Sequence, residues 1–149
     1  PHFIGKHGSA KNSVIAEGCE IEGTVINSVL FSGVTVEKGA VIKDSVVMRN
    51  TYINEGANVQ YSIIDSGVYV GTDCQVGQER AEGVELAVLG NGVKLLDGEV
   101  IRAGEIIDNE TYTRREAERQ EEQEQEKSPF IIKYDKSILV NVIEREVVE

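Results

Sequence analysis

The chain has 149 residues, a formal net charge of −11, 40% hydrophobic residues and only 5% aromatic ones. That is enough apolar material for the core of one ordinary domain with an appendage. The acidic balance leaves no basic patch for nucleic acid and disfavours an anionic membrane, and no apolar run approaches the ~18 residues that a bilayer span needs.

Gly is frequent at 15 and Pro rare at 2, and the apolar set is mostly Val and Ile. This mixture favours strands whose turns are made by Gly, Asn and Asp. No signal peptide is present, and a start at Pro1 rather than Met reads as a fragment or processed product. His2 and His7 precede the first repeat and read as surface or linker residues. Cys19 and Cys74 suggest neither a disulfide framework nor a metal cluster, and a reducing cytoplasm suits them.

Along the chain the first ordered pattern is "IAEGCE", in which Ile15 is followed four residues later by Cys19. The same template recurs as Val36 with Ala40, Ile53 with Ala57 and Val70 with Cys74. The units "VEKGAVIKDSVVMRNTY" (36–52) and "INEGANVQYSIIDSGVY" (53–69) are each 17 residues long. Aliphatic residues fall at Val36, Ile42, Val47, Ile53, Val59, Ile64, Val70 and Val76, in steps of six, five and six. Neither a helix nor a plain alternating strand gives such steps. A chain turning a corner every five or six residues does, with Gly18, Gly39, Gly56 and Asp73 supplying the turns. Three sides then make one triangular coil, and coils stack at strand spacing.

The reading predicts inward columns of Ile15, Val36, Ile53 and Val70; of Val25, Ile42, Val59 and Val76; and of Leu30, Val47 and Ile64. It expects polar outward positions, such as Glu37, Lys38, Lys43, Asp44, Arg49 and Asn50. Ile15 to Val36 is 21 residues, so a bulge is expected in the first coil. Both cysteines are expected in the small inward column with Ala40 and Ala57, as core rather than as nucleophiles. "GQERAEGVE" breaks the pattern after Val76, and Leu89, Leu95, Ile101 and Ile107 resume it in even steps of six.

The expected divisions are a repeat domain at 1–108, a polar helix or linker at 109–128 and a C-terminal strand pair at 129–149. The middle segment is almost wholly polar, with Glu110 and Arg114 at a favourable i,i+4 spacing. "GNGVKLLDG" matches no phosphate-binding glycine template, and its glycines read as turns. Lys43, Arg49 and Arg102 are outward basic residues that could meet an anionic effector.

The pieces "SVIAEGC", "NSVLFSGV", "GAVIKDSVVM" and "AVLGNGVKLLDGEVIRAGEII" together resemble the C-terminal domain of bacterial ADP-glucose pyrophosphorylase (glucose-1-phosphate adenylyltransferase). The resemblance implies an all-β fold, a left-handed parallel β-helix of hexapeptide repeats, here followed by a helical and strand tail. It implies an N-terminal catalytic domain as partner, joining ATP and glucose 1-phosphate with Mg²⁺ in the cytoplasm, for glycogen biosynthesis. It also implies homo- or hetero-oligomers, tetramers in the family, and part of an allosteric effector site, for which Lys43 and Arg49 are the candidates. Positions that are basic in sugar-phosphate-activated relatives are Gly33 and Thr35 here. No catalytic residue, metal ligand or cofactor site is expected within the fragment, so it should be inactive alone. Alternatives are the β-helix of another sugar-nucleotide pyrophosphorylase or of a translation exchange-factor subunit. A hexapeptide acyltransferase is a further alternative, for which a His on a coil would be needed.

Overall fold

The computed structural model describes residues 1–126; the strand pair expected at 129–149 lies outside the described residues. Two units are distinguished, Pro1–Tyr112 and Thr113–Glu149. The first is an all-parallel β-solenoid of about six turns, consistent with a left-handed β-helix.

Its three faces are built from strands of two or three residues. The first face stacks Phe3–Ile4, Glu20–Ile21, Thr35–Val36, Tyr52–Ile53 and Tyr69–Val70, and a single bridge from Tyr69 to Lys94 extends it. The second stacks Ser9–Lys11, Thr24–Ile26, Val41–Lys43, Asn58–Gln60, Gln75–Gly77 and Val100–Ile101. The third stacks Val14–Ile15, Val29–Leu30, Val46–Val47, Ser62–Ile64, Ala87–Leu89 and Ile106–Ile107. Each residue pairs with its counterpart one turn away, as Val59 does with Ile42 and Val76. Such pairing leaves no choice of inward residue, so the aliphatic columns follow from the register.

The columns are fully buried through Ile21, Val36, Ile53 and Val70, through Val25, Ile42, Val59, Val76 and Ile101, and through Leu30, Val47, Ile64 and Leu89. The last two columns match the expected ones. The first does not: Ile21, not Ile15, stacks on Val36, and Ile15 belongs to the third face beneath Leu30. There is no bulge before Val36. Instead the side between Ile21 and Val25 is two residues short, cutting that turn to 15 residues. Gly23 sits in this tightened corner, where an added Cβ would lie 2.4 Å from the Ala40 carbonyl oxygen.

Cys19 also occupies a different column. Its carbonyl, like those of Val34, Thr51, Val68 and Val93, accepts a hydrogen bond from the coil before it, whereas Ala40, Ala57, Cys74 and Glu99 form the other corner. Both cysteines are buried and reduced. Burial, more than the nearby Glu99 and Asp97, pushes the Cys74 thiol above its ordinary value, which keeps it an inert core group. At Glu99 the side chain breaks the rule of small corner residues, and its carboxylate accepts the Leu96 N–H at 2.7 Å.

A serine ladder holds the corner between the second and third faces. Ser28 N–H donates to Ser13 Oγ at 3.1 Å, Ser45 N–H to Ser28 Oγ at 3.0 Å and Ser62 N–H to Ser45 Oγ at 3.1 Å. Each hydroxyl donates in turn to a carbonyl two residues back, from Ser28 to Ile26 at 2.8 Å and from Ser45 to Lys43 at 2.8 Å. Thus Ser13, Ser28 and Ser45 each accept one corner N–H and give a second donor to one corner carbonyl.

An α-helix, Asn109–Glu126, follows the last coil. Asp108 caps it, accepting the Thr111 N–H at 2.7 Å. That hydrogen bond holds the Asp108 carboxyl below its usual range. No residue of the helix is buried, and none of the described helices is long and apolar enough to cross a membrane.

Replacing Ile53 with Asp places a charge in the middle of the first column, and a loss of more than about 4 kcal/mol is expected. A melting curve followed by circular dichroism should fall by at least about 15 °C; an unchanged midpoint contradicts the columns. Ser45→Ala should cost about 1–3 kcal/mol, because the buried Ser62 N–H loses its acceptor, while the Lys43 carbonyl keeps the Tyr61 N–H at 3.0 Å. Ser13→Ala, at the exposed end of the same ladder, should cost clearly less in the same denaturant titration.

Candidate functional site

One corner of the solenoid carries a run of polar side chains. There Asn12, Asn27, Asp44 and Tyr61 all take positive φ, at 50°, 48°, 52° and 46°. Asn and Asp adopt this left-handed conformation readily, and their side chains join one coil to the next. Asn12 Nδ2 donates to Asn27 Oδ1 at 2.8 Å, and Asn27 Nδ2 donates to Asp44 Oδ1 at 2.6 Å. Tyr61 cannot gain such a local hydrogen bond, and a bulky residue in this region costs roughly 1–2 kcal/mol.

Beyond Tyr61 the corner is interrupted. The step from Ile64 to Leu89 along the third face is 25 residues, eight more than the 17-residue period. The extra length is spent in the "GQERAEGVE" loop, so the break read in the sequence is an insertion between two coils that otherwise stack normally. Gly77 starts it at φ 74°, and a Cβ there would lie 2.0 Å from the Gln60 carbonyl oxygen. Only glycine lets the chain leave the coil at that point.

The loop folds back toward the corner. Glu79, Arg80, Ala81 and Glu82 line a groove of about 490 Å³ with Lys43, Asp44 and Tyr61. Lys43 Nζ lies 3.8 Å from Glu79 Oε1, with Lys43 partly and Glu79 largely in solvent, so this long pair contributes little to stability. Arg80 and Tyr61 also line a smaller adjoining depression, with Asn27, Ser28 and Ser45. The groove thus offers two cations, one aromatic ring and three carboxylates. It is suited to a polar ligand bearing both anionic and donor groups.

Arg49 is elsewhere. It lies on the next corner of the same turn, beside Phe31, Met48 and Ser66, at a depression of about 230 Å³. One triangle side separates it from Lys43, so the structure does not bring the two candidate effector residues into one site. Among the described residues no group of three or more His, Cys, Asp and Glu side chains gathers where a metal ion could bind.

A different cluster stands on the first face. Tyr52 and Tyr69 stack at 5.5 Å, Lys94 lies 5.6 Å above the Tyr69 ring, and Asn54 Nδ2 donates to the Tyr69 hydroxyl at 2.8 Å. The Tyr52 hydroxyl donates to the Glu37 carboxylate, which pushes the phenol up to about 12. Sequence reasoning missed Tyr61, Arg80 and this stack. Tyr52 and Tyr69 were legible as residues 17 apart, whereas the approach of Arg80 depends on the path of the inserted loop.

Comparison with known proteins agrees with this architecture. Residues 2–96 match a family described as GlmU-like, C-terminal hexapeptide. The glucose-1-phosphate adenylyltransferase of Acetivibrio thermocellus is 49% identical over 76 residues, 51% of this chain and 18% of that protein. The protein of the same name from Desulfitobacterium hafniense is 32% identical over 116 residues, 74% of this chain and 29% of that protein. That from Bacillus cytotoxicus is 38% identical over 109 residues, 73% of this chain and 22% of that protein. The resemblance read from the repeat motifs is therefore borne out, and the chain spans less than a third of the length of these relatives. With its coils, corners and matched residues in agreement, the chain belongs to the GlmU-like C-terminal hexapeptide family.

Proposed function

We propose that this chain is the C-terminal assembly and regulatory region of a glucose-1-phosphate adenylyltransferase. The reaction would join ATP and glucose 1-phosphate to give ADP-glucose and pyrophosphate, in the cytoplasm, for glycogen biosynthesis. The observation that carries the reading is the 49% identity over 76 residues to a relative of that name, of which the chain spans only 18%. The chemistry then belongs to a catalytic domain beyond these residues. Mg²⁺, expected for this reaction, would act in that domain. No catalytic step is assigned to the solenoid.

The local role follows from its physics. Stacked columns give a rigid body that holds a neighbouring domain in one orientation and offers flat faces to other subunits. The partners are the N-terminal catalytic domain and further subunits, in a homo- or hetero-oligomer, with a tetramer as the family expectation. The division at 1–108, 109–128 and 129–149 is part of the same proposal, the first segment being the assembly body.

The effector role is best supported at Lys43, where Arg80 and Tyr61 share the groove. Arg49 would make a separate contact on its own corner. In the intact enzyme, Lys43→Ala should weaken the response to an anionic sugar-phosphate effector at least tenfold while leaving the unstimulated rate unchanged. Arg49→Ala should have a smaller effect. An unaltered effector titration in the Lys43 variant would remove Lys43 from the site.

The purified chain alone should not consume ADP-glucose and pyrophosphate, whereas the intact protein should form ADP-glucose from ATP and glucose 1-phosphate. Turnover by the chain alone would contradict the assignment. An intact protein that uses another nucleotide or sugar phosphate would instead assign the solenoid to a different sugar-nucleotide pyrophosphorylase.

A further inference from the structure

Arg80 lines the groove without a partner. Among the described residues its guanidinium forms neither an ion pair nor a hydrogen bond, although Asp44 and Glu82 line the same space. It also lines the adjoining depression with Ser28 and Ser45. Lys43, the other cation of the groove, is paired with Glu79, the residue before Arg80 in the chain. Two cations therefore share one groove, and one of them already has a counter-ion.

The loop that carries Glu79 and Arg80 is loosely tied. Between Gln78 and Leu86 the described residues show one hydrogen bond, from the Val84 N–H to the Ala81 carbonyl at 3.2 Å, and it is internal to the loop. Among the described residues, the polar tie from this loop to the coils is the Lys43–Glu79 pair at 3.8 Å. A pair this long and this wet is readily exchanged for another.

We propose that Lys43 and Arg80 form a binding site for a small phosphate-bearing anion, and that Glu79 is its built-in competitor. In the empty groove the Glu79 carboxylate pairs with the cation that such an anion needs. An arriving anion repels Glu79 and attracts Arg80, its neighbour of opposite sign. Glu79 leaves Lys43, Arg80 turns onto the anion, and the loop exchanges one charged tether for another. The segment between Gly77 and Gly83, both at positive φ, is the part that moves. Arginine suits the second tether, because its planar fork takes two phosphate oxygens at once. A lone carboxylate ligand gains no more from Lys43 than Glu79 already does. A phosphate group carries up to about two charges and three acceptor oxygens, so it can engage both cations together. The proposal rests on the reading of Lys43 as an anion-binding residue and adds what controls it: a carboxylate on the inserted loop sets the affinity of the groove.

Inorganic phosphate is the probe. Titration of the 149-residue chain at constant ionic strength, followed by ¹H–¹⁵N NMR, should shift the amide signals of Lys43, Tyr61, Glu79 and Arg80 along one saturation curve, with a Kd on the order of 1–10 mM. Glu79→Gln should tighten binding about threefold, because the competing pair is gone. Glu82→Gln removes the same charge from the same groove but no partner of Lys43, and should change the Kd less than twofold. Arg80→Gln should weaken binding at least fivefold, and Arg80→Lys should recover only part of that loss. Glu79, Arg80 and Glu82 are all exposed, so these variants keep the fold. The absence of saturable shifts at the groove overturns the proposal. So does an affinity that Glu79→Gln leaves unchanged, that Glu82→Gln raises equally, or that Arg80→Gln does not lower. The response of the intact enzyme to a sugar phosphate is a separate measurement. If Lys43→Ala leaves that response unaltered while phosphate still competes with Glu79, the effector role falls and the exchange at Lys43 stands.

Discussion

Everything in this molecule depends on one constraint. Each coil must return the backbone to the same place above the last, so that every strand hydrogen-bonds in parallel with its counterpart one turn away. The inward side chains then have no freedom of position, and the core becomes three vertical columns of aliphatic residues. The cost falls at the corners, where the backbone must turn without leaving donors and acceptors unpaired. Left-handed glycines and asparagines meet the geometric part of that demand, and the serine ladder meets the hydrogen-bonding part.

The columns were legible in the sequence because burial admits so few residue types. Val36, Ile42, Val47 and their successors fall where spacing puts them, and the even steps from Leu89 to Ile107 form a regular last coil. The early register was harder. Ile15 and Ile21 are both aliphatic and both lie near a glycine, and only the tight corner at Gly23 decides which of them stacks on Val36. That decision rests on a close backbone approach, which no local pattern encodes. The same displacement moved Cys19 to a corner with Val34 and Thr51, although its burial was read correctly.

The candidate site was less legible than the fold. Lys43 and Arg49 were visible as outward cations, but the triangle side between them was not weighed, and they look onto separate depressions. The dipeptides "NS", "NS", "DS" and "YS" at the ends of successive second sides announce the polar corner. Their meaning comes from side chains bonding across 15 or 17 residues of chain. The pairing of Lys43 with Glu79 was missed for a different reason. "GQERAEGVE" reads as a break in the repeat, and its charges gain a meaning only through the path of the loop back to Lys43.

The central claim is that the 17-residue period is the register of parallel coils, and that the chain's part is to hold and assemble. Paired spin labels measure that register most directly. Labels at Val41 and Asn58, or at Asn58 and Gln75, should show strong spin exchange at about one strand spacing, and a pair at Val41 and Gln75 about twice that. Separations beyond about 15 Å for the first two pairs would contradict the stacked coils, and with them the columns and the corner.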